Sequence, residues 1–251
     1  MRADEFLTLN GFFSSRTKAK QAIERGEVFF NGNKVLKPSF ETDGKDIKTE
    51  IKSAESFVSL GGYKLVKALK DFNFCVKGLT VADIGASTGG FTDCLLQNGA
   101  EKVYAVDLND GLLDNSLKSD DRVISVIKNA KNLLREDVKG ATLITADLSF
   151  ISAKQVLSVF YDILPSGGKV ILLIKPQFEM GEKRRFKKGI IRDGKIIKNA
   201  RKEVFGAAKD AGFCALKMTT APLSYDKNTE FLILLEKDGK TDADFSELFT
   251  F

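Results

Sequence analysis

Residues 81–92 have the sequence Val81-Ala82-Asp83-Ile84-Gly85-Ala86-Ser87-Thr88-Gly89-Gly90-Phe91-Thr92. The first four residues are typical of a buried strand, the glycines of a tight turn, and the last residues of the start of a helix. Glycine permits positive φ angles and lets a ligand approach the backbone closely. The segment therefore predicts a ligand-binding turn, with a plain strand-to-helix connection as the alternative.

Apolar segments of strand length recur on both sides of this turn. They are residues 80–84, 103–107, 123–127, 142–147, 170–175 and 231–235. Helical patterns lie between them, for example at 152–163 and 198–211. This alternation predicts an α/β fold with a mostly parallel sheet and helices on both faces. Ligands of such sheets bind at the carboxyl ends of the strands, so the chemistry is expected there.

The N-terminal residues have a different pattern. Ser14 or Ser15 is expected to cap a helix that ends at Gly26. Asn31-Gly32 separates two short apolar runs, which is a strong signal for a β-hairpin. Residues 37–52 are polar and predict a closing strand followed by a linker. We therefore expect a small domain at 1–54, a linker at 55–60 and a large domain at 61–251.

Composition excludes several kinds of chemistry. The 251 residues carry a net charge of +5 and include no histidine, which excludes Ser-His-Asp triads, histidine-ligated zinc and a histidine base. The three cysteines lie far apart, so we expect them to be reduced and buried, with no metal site. No secretory signal is evident, and no apolar run approaches the roughly 18 residues that span a membrane. A cytoplasmic protein is expected.

The spacing of the glycines indicates a cofactor. A nicotinamide site would have G-x-G-x-x-G. The spacing of Gly85, Gly89 and Gly90 after Asp83 instead resembles the first motif of class I methyltransferases. Carboxylates and amides at the next strand ends suit the ribose and adenine of S-adenosylmethionine, which we expect as the cofactor. Its predicted ligands are Asp83, Gly85, Ala86, Ser87, Thr88, Gly89, Phe91, Thr92, Asp107 and Asn129.

The other strand ends carry candidate catalytic residues. Enzymes that methylate exocyclic amines have Pro-Pro after the residue at this strand end, but Asp147 is not followed by Pro-Pro. Cytosine-C5 enzymes commonly have a cysteine directly after a proline, and no proline of this chain precedes a cysteine. Lys175 ends an apolar strand, where it is either a salt-bridged structural residue or a base that acts on a hydroxyl. Burial and a second cation, for which Lys64 is the candidate, favour a neutral amine. Asp147 and Glu230 are expected to orient the amines and the ribose.

The chain resembles the TlyA family, which was first described as haemolysins and is now understood as ribosomal RNA 2′-O-methyltransferases. The resemblance covers nearly the whole chain. It rests on Arg2-x-Asp4-x-x-Leu7, Ser15-Arg16-x-x-Ala19, Ile23-x-x-Gly26-x-Val28 and Asn31-Gly32 of the S4 RNA-binding module, on Phe57-Val58-Ser59 and Gly61-Gly62-x-Lys64-Leu65 after it, and on Asp83 to Thr92, Asn129, Asp147 to Ser152, Lys175 to Glu179 and Gly189 to Asp193 of the catalytic domain.

The resemblance implies an S4 domain followed by a seven-stranded class I methyltransferase domain. It places the Lys-Asp-Lys-Glu set of 2′-O-ribose enzymes on Lys64, Asp147, Lys175 and Glu230. The chain is similar in length to the shorter members, which implies methylation of a cytidine in a large-subunit rRNA helix at the subunit interface. The implied partner is therefore ribosomal RNA or a ribosomal subunit.

Basic residues mark two candidate RNA-binding surfaces. They are Arg2, Arg16, Lys18, Lys20 and Arg25 near the N-terminus, and Lys183, Arg184, Arg185, Lys187 and Lys188 after the fifth apolar strand. Such residues suit phosphate contacts, which supply salt-sensitive affinity rather than sequence choice. A solvated helix face and a solvated loop are the alternatives.

Two other functions remain possible from the sequence. One is a non-catalytic RNA-binding or ribosome-assembly factor that retains a methyltransferase fold, against which the intact strand-end residues argue. The other is a cytolysin. No amphipathic or membrane-spanning segment stands out in the sequence, which disfavours the cytolysin.

Overall fold

The computed structural model describes residues 1–13, 15–44, 47–51, 57–180, 190–222 and 228–243, apart from the side chain of Asp110. The chain divides into two compact units, Met1–Ser56 and Phe57–Phe251.

The N-terminal unit packs two helices beside a small antiparallel sheet. The helices are α1 (Ala3–Leu9) and α2 (Arg16–Arg25), and the strands are β1 (Val28–Phe30), β2 (Asn33–Lys34) and β3 (Thr49–Ile51). The strand order is β2-β1-β3. A separate small core of buried apolar side chains, which includes Leu7, Ile23 and Val28, holds these elements together.

Local signals explain where these elements begin and end. The side chain of Ser15 caps α2 by accepting a hydrogen bond from the Lys18 amide, and Gly26 ends the helix with a φ of 74°. Asn31 and Gly32 both have positive φ, at 50° and 80°, which a two-residue hairpin with the twist of paired strands requires. The predicted helix and the predicted hairpin are therefore confirmed.

The C-terminal unit is a sheet with helices on both faces. Its strands are β4 (Thr80–Ile84), β5 (Lys102–Asp107), β6 (Val123–Ile127), β7 (Leu143–Ala146), β8 (Lys169–Ile174), β9 (Phe213–Thr220) and β10 (Phe231–Lys237). Its helices are α3 (Leu60–Phe72), α4 (Gly90–Gln97), α5 (Asn115–Lys118), α6 (Leu157–Ile163), α7 (Pro176–Glu179) and α8 (Gly194–Asp210). No helix among the described residues is long and apolar enough to span a membrane.

The strand order of this sheet is β6-β5-β4-β7-β8-β10-β9. The first five strands in that order are parallel, and β10 runs antiparallel to both β8 and β9. Apolar side chains form a buried cluster on each face of the sheet. The predicted α/β class with a mostly parallel sheet is confirmed, and the polar residues that follow β4, β5, β7 and β8 all lie at one edge.

The structure also corrects three details. The expected linker at 55–60 overlaps α3, because Leu60 is the first residue of that helix. The helix expected at 152–163 is divided into a 3₁₀ turn, Ala153–Gln155, and α6, because the Ser152 side chain caps the short turn. The helix expected at 198–211 begins earlier, at Gly194, where Asp193 provides the cap.

Candidate active site at the carboxyl edge of the sheet

The glycine turn after β4 lies against the neighbouring strands. The amides of Gly85 and Ala86 both donate to the carbonyl oxygen of Val106 at the end of β5, at 2.8 and 3.1 Å. Gly85 has a φ of 79°, and a Cβ atom there would lie 2.7 Å from the carbonyl oxygen of Asp147. Glycine is therefore required at this position, and the turn is in direct contact with the candidate catalytic residue Asp147.

An open cleft lies beside this turn. Its lining residues are Ala86, Ser87, Ala105, Asp107, Asn109, Leu113, Ser125, Val126 and Ile127. Asp107 is fixed in the cleft because its Oδ2 accepts from the Ser87 amide at 2.8 Å and its Oδ1 from the Leu108 amide at 2.7 Å. Oδ1 also accepts from the Asn109 amide at 3.3 Å, so Oδ2 is the oxygen that keeps a lone pair for a ligand hydroxyl.

Asp83 lies beneath the turn rather than on the cleft surface. It is fully buried, and its two carboxylate oxygens accept hydrogen bonds from Thr92 Oγ1 at 2.6 Å and Thr145 Oγ1 at 2.9 Å. Burial raises the pKa of Asp83 to about 7, and the two hydroxyl bonds oppose that effect. The structure thus gives Asp83 and Thr92 partners inside the protein, and these partners tie α4 and β7 to β4.

The other predicted cofactor residues are divided between surface and core. Thr88 is exposed on the turn, whereas the side chain of Phe91 belongs to the buried cluster beneath α3 and α4. Asn129 is exposed after β6, and its Oδ1 accepts from the Lys131 amide at 3.0 Å. Within the described part of the chain, this Oδ1 contact is the hydrogen bond that the structure shows for its side chain.

The structure brings the four candidate catalytic residues together as two ion pairs. Lys175 Nζ lies 2.5 Å from Asp147 Oδ1, and Lys64 Nζ lies 2.6 Å from Glu230 Oε2. All four side chains are largely shielded, with Lys175 the most buried at 10% exposure. Paired charges of this kind are the usual way in which a buried lysine is tolerated.

Strand register explains why both pairs lie at the same edge. Phe231 of β10 pairs with Ile174 of β8 in an antiparallel ladder. Glu230 precedes Phe231 and Lys175 follows Ile174, so the two residues leave adjacent strands at the same end of the sheet. Lys64 reaches this edge from α3.

Three further residues, for which the sequence predicts no role, contact the Lys175 region. Ser149 Oγ accepts a hydrogen bond from Lys175 Nζ at 2.8 Å. The ring of Phe178 lies 5.8 Å from Lys175 Nζ and 5.4 Å from the ring of Phe150. Phe150 is 88% exposed and has a φ of 66°, which is rare for an aromatic residue. Its position directly after the strand-end Asp147-Leu148-Ser149 was the one available sequence signal.

The basic residues predicted to bind RNA have different environments. Within the N-terminal unit, Arg2 and Arg16 both pair with the buried carboxylate of Asp4, at 3.0 and 3.2 Å, and about half of each arginine side chain is exposed. Burial tends to raise the pKa of Asp4, but the hydrogen bonds from the two arginines hold it below its ordinary value.

The remaining basic residues of the N-terminal unit differ in how closely they are held. Lys20 pairs with Glu24 at 3.8 Å and Arg25 with Glu27 at 2.7 Å, while Lys18 is exposed. Lys183, Arg184, Arg185, Lys187 and Lys188 lie outside the described residues.

The sheet order, the glycine turn after β4 and the cleft beside it define the class of Rossmann-like methyltransferases. Residues 57–237 match the family described as FtsJ-like methyltransferase, and residues 1–47 match the S4 domain. The chain belongs to the FtsJ-like methyltransferases and, within them, to the TlyA family, whose members join an S4 domain to the methyltransferase domain.

Three relatives illustrate this membership. Hemolysin A of Brachyspira hyodysenteriae is 39% identical over 243 residues, which cover 92% of this chain and 98% of that protein. The 16S/23S rRNA (cytidine-2′-O)-methyltransferase TlyA of Mycobacterium tuberculosis is 34% identical over 238 residues, which cover 93% and 89%. The solved structure of a provisionally named hemolysin from Streptococcus thermophilus has a TM-score of 0.74 and 36% identity, and the match covers 99% of this chain and 94% of that one.

Proposed function

We propose that this protein methylates the 2′-hydroxyl of a cytidine in ribosomal RNA, with S-adenosylmethionine as the methyl donor. One observation carries the proposal: the Lys175–Asp147 and Lys64–Glu230 pairs lie at the same sheet edge as the glycine turn. A lysine that is positioned by a carboxylate can activate a hydroxyl group. The described residues include neither a histidine nor an activated cysteine for other chemistry.

The residues of the cleft fit the proposed donor. The positive φ of Gly85 shapes the turn, and Ala86 and Ser87 of the same turn line the cleft, so a ligand can reach the backbone there. Oδ2 of Asp107 has a lone pair for a ribose hydroxyl, and Ile127 offers an apolar surface for a flat base. When bound, the donor supplies a methyl group on a positively charged sulfur.

A cofactor test follows from Asp107. Asp107→Ala should weaken binding of S-adenosylmethionine by about 1.5–3 kcal/mol, because hydrogen bonds to a charged acceptor are lost. Calorimetry measures this loss directly. Unchanged affinity would remove Asp107 from the binding site.

The proposed chemistry assigns a proton transfer to Lys175. In the proposed reaction Nζ of Lys175 would take the proton of the 2′-hydroxyl as the oxygen takes the methyl group, while the methyl carbon–sulfur bond breaks and the donor leaves as a neutral thioether. The ion pair with Asp147 and the hydrogen bond to Ser149 hold Nζ of Lys175, and in the proposed reaction they would orient it toward a substrate hydroxyl. Lys64 and Glu230 hold the ribose at the attack distance, where correct orientation supplies much of the rate.

Ribosomal RNA is the substrate that we propose. The relative from Mycobacterium tuberculosis carries this activity in its name, with both 16S and 23S rRNA as substrates. The S4 domain match and the half-exposed Arg2 and Arg16 support binding to an RNA backbone. Within ribosomal RNA we prefer a cytidine of the large subunit at the subunit interface, and such a substrate implies a cytoplasmic enzyme.

Methylation with labelled S-adenosylmethionine tests this function. Purified 16S rRNA, 23S rRNA and both ribosomal subunits should be compared as substrates, and the labelled nucleotide identified by digestion and mass spectrometry. We expect label on the ribose of one cytidine in the large-subunit RNA. Label on a base would refute the proposed reaction.

A second candidate is a non-catalytic RNA-binding or assembly factor. The shielded, paired lysines argue against this candidate. Burying charged groups costs desolvation free energy, and a protein that only binds RNA does not need buried lysines at this site. Tight rRNA binding without S-adenosylmethionine binding would favour this candidate instead.

A further inference from the structure

We propose that Glu179 is the positioning residue that holds the two substrate-facing segments of the active site, 147–154 and 175–180, in register. This inference rests on the proposed function, because Glu179 would act by positioning Lys175 and Phe150. Glu179 is 4% exposed and takes no part in the chemistry described above.

Glu179 makes its contacts across the two segments. It is the last residue of α7, which begins directly after Lys175. Its Oε2 lies 2.5 Å from Ser152 Oγ, and its Oε1 accepts from the Ala153 amide at 2.9 Å. Its carbonyl oxygen accepts from Lys154 Nζ at 3.3 Å. One residue of the Lys175 segment therefore contacts three consecutive residues of the Asp147 segment.

Three other contacts also join the two segments: the Lys175–Asp147 pair, the Lys175–Ser149 bond and the Phe150–Phe178 ring contact. A nucleotide would touch these three contacts, whereas the contacts of Glu179 are buried. A displacement of Glu179 would therefore shift all three.

The conformation of Phe150 requires such support. A non-glycine residue at positive φ is strained and persists only when its surroundings over-determine it. Phe150 gains little from burial, since 88% of it is exposed. On one side the Asp147 amide bonds to the Ile84 carbonyl oxygen at 3.1 Å, and on the other Glu179 holds Ser152 and Ala153. The strained residue is thus fixed from both directions.

Burial makes this tie sensitive to substitution. Desolvation raises the pKa of Glu179, while the bonds from Ser152 and Ala153 oppose the shift. Lys154 and Glu203 are the nearby charges, and they pair with each other at 2.5 Å. A shorter or apolar side chain at position 179 would leave the Ala153 amide without its acceptor.

The test compares Glu179→Ala and Glu179→Gln with wild type. Glutamine keeps the length and can both accept from the Ala153 amide and donate to Ser152. We expect Glu179→Ala to lower the single-turnover methylation rate at saturating RNA by about 100-fold, the effect of roughly 1 Å of misplacement. Affinity for S-adenosylmethionine should stay within about twofold, and Glu179→Gln should recover most of the rate. Asp238→Asn is the control, because it neutralises a carboxylate that accepts from the Tyr161 hydroxyl after the last strand.

A second measurement separates positioning from general stability and does not depend on catalysis. Amide hydrogen exchange of residues 149–154 should accelerate in Glu179→Ala, with exchange in β4 unchanged. Ser152→Ala should accelerate the same segment, and the double variant should add little to Glu179→Ala. The inference is overturned by a wild-type rate in Glu179→Ala, by unchanged exchange at 149–154, or by rate and cofactor affinity that fall together. Failure of wild type to methylate RNA would instead refute the proposed function, and the exchange measurement would still decide the role of Glu179.

Discussion

Lys175 is the residue on which the proposed chemistry depends. Its side chain is nearly buried, yet it pairs with Asp147, donates a hydrogen bond to Ser149 and lies near the ring of Phe178. Such a lysine can act on a hydroxyl group in either of two ways: it takes the proton as a general base, or it supplies positive charge. The two uses respond differently to arginine, because a guanidinium stays protonated at any pH that a protein tolerates.

Substitutions at Lys175 should separate these roles. Lys175→Ala should leave cofactor affinity nearly intact and lower the single-turnover rate by roughly 10²–10⁴, the usual contribution of a general base. Lys175→Arg should fail to a similar degree. Lys169→Arg is the matched control, because Lys169 begins the same strand and pairs with Glu236 at 2.7 Å. A near-normal rate in Lys175→Arg would mean that the residue supplies charge and that the base lies elsewhere.

Asp83 predicts a pH dependence of stability. Its pKa is raised from 3.8 to about 7 by burial, so the folded protein holds this proton after the unfolded chain has released it. The contribution to stability is therefore complete below about pH 4 and is lost as the pH rises toward 7, at no more than about 1.4 kcal/mol per pH unit.

Urea unfolding of wild type and Asp83→Asn between about pH 5 and pH 8 tests this dependence. The free energy of unfolding of wild type should fall relative to that of the variant as the pH rises, because the variant has no proton to lose. Asp121→Asn, at an exposed position, should leave the pH dependence of wild type unchanged. Parallel curves for wild type and Asp83→Asn would contradict the raised pKa.

The helices α3 and α4 pack so closely that position 90, at the start of α4, requires glycine. A Cβ atom on Gly90 would lie 2.2 Å from Ser59 Oγ and 3.0 Å from the Gly62 amide nitrogen. The contact matters to the site because α3 carries Lys64 and α4 begins at the glycine turn. A change in this packing would move one ion pair relative to the cofactor cleft.

Two glycine-to-alanine substitutions test the packing. Gly90→Ala should lower the free energy of unfolding by roughly 1–3 kcal/mol, the usual cost of overpacking. Gly206→Ala should instead raise it by about 0.5–1 kcal/mol, because Gly206 lies within α8 and its Cβ would meet no atom within 4 Å. Urea denaturation measures both. Equal effects at the two positions would exclude steric contact as the reason for Gly90.

The elements also differ in how far the sequence predicts them. β4, β5 and β8 carry nearly continuous apolar runs, since they are covered on both faces, and such runs are evident in the sequence. β9 was missed because it is an edge strand whose buried positions are interrupted by Lys217 and other less buried residues.

The same limit applies to the site. The strand-end residues Asp107, Asp147 and Lys175 could be predicted because parallel strands end at one edge. The contacts of Ser149 and Glu179 could not, since they depend on how α7 and a 3₁₀ turn pack against each other. That packing is set by tertiary structure and leaves no periodic pattern in the sequence.

For the whole molecule, two units with separate cores suggest a division of labour. The N-terminal unit has its own buried cluster and presents Arg2 and Arg16 on the Asp4 carboxylate, while the cleft and both lysine pairs belong to the other unit. RNA affinity and methyl-transfer chemistry should therefore be separable.

A chain that starts at Phe57 tests this separation. It should bind S-adenosylmethionine as wild type does and lose at least about tenfold in rRNA affinity, with a flatter dependence on salt because fewer phosphates are contacted. Full-length Arg16→Ala should show a smaller change in the same direction. Undiminished rRNA binding by the shortened chain, at matched salt, would contradict the division.

The position of β10 has a consequence for how the chain folds during synthesis. β10 follows all the other described strands in the sequence, yet it inserts between β8 and β9. Until it is synthesised, residues 170–174 form an apolar strand with one open edge, a template for pairing with other chains. Lys175 also lacks its neighbour Glu230 until then. A ribosome-bound nascent chain that ends before β10 should therefore be both inactive and prone to aggregate, so that folding of the catalytic edge is completed late in translation.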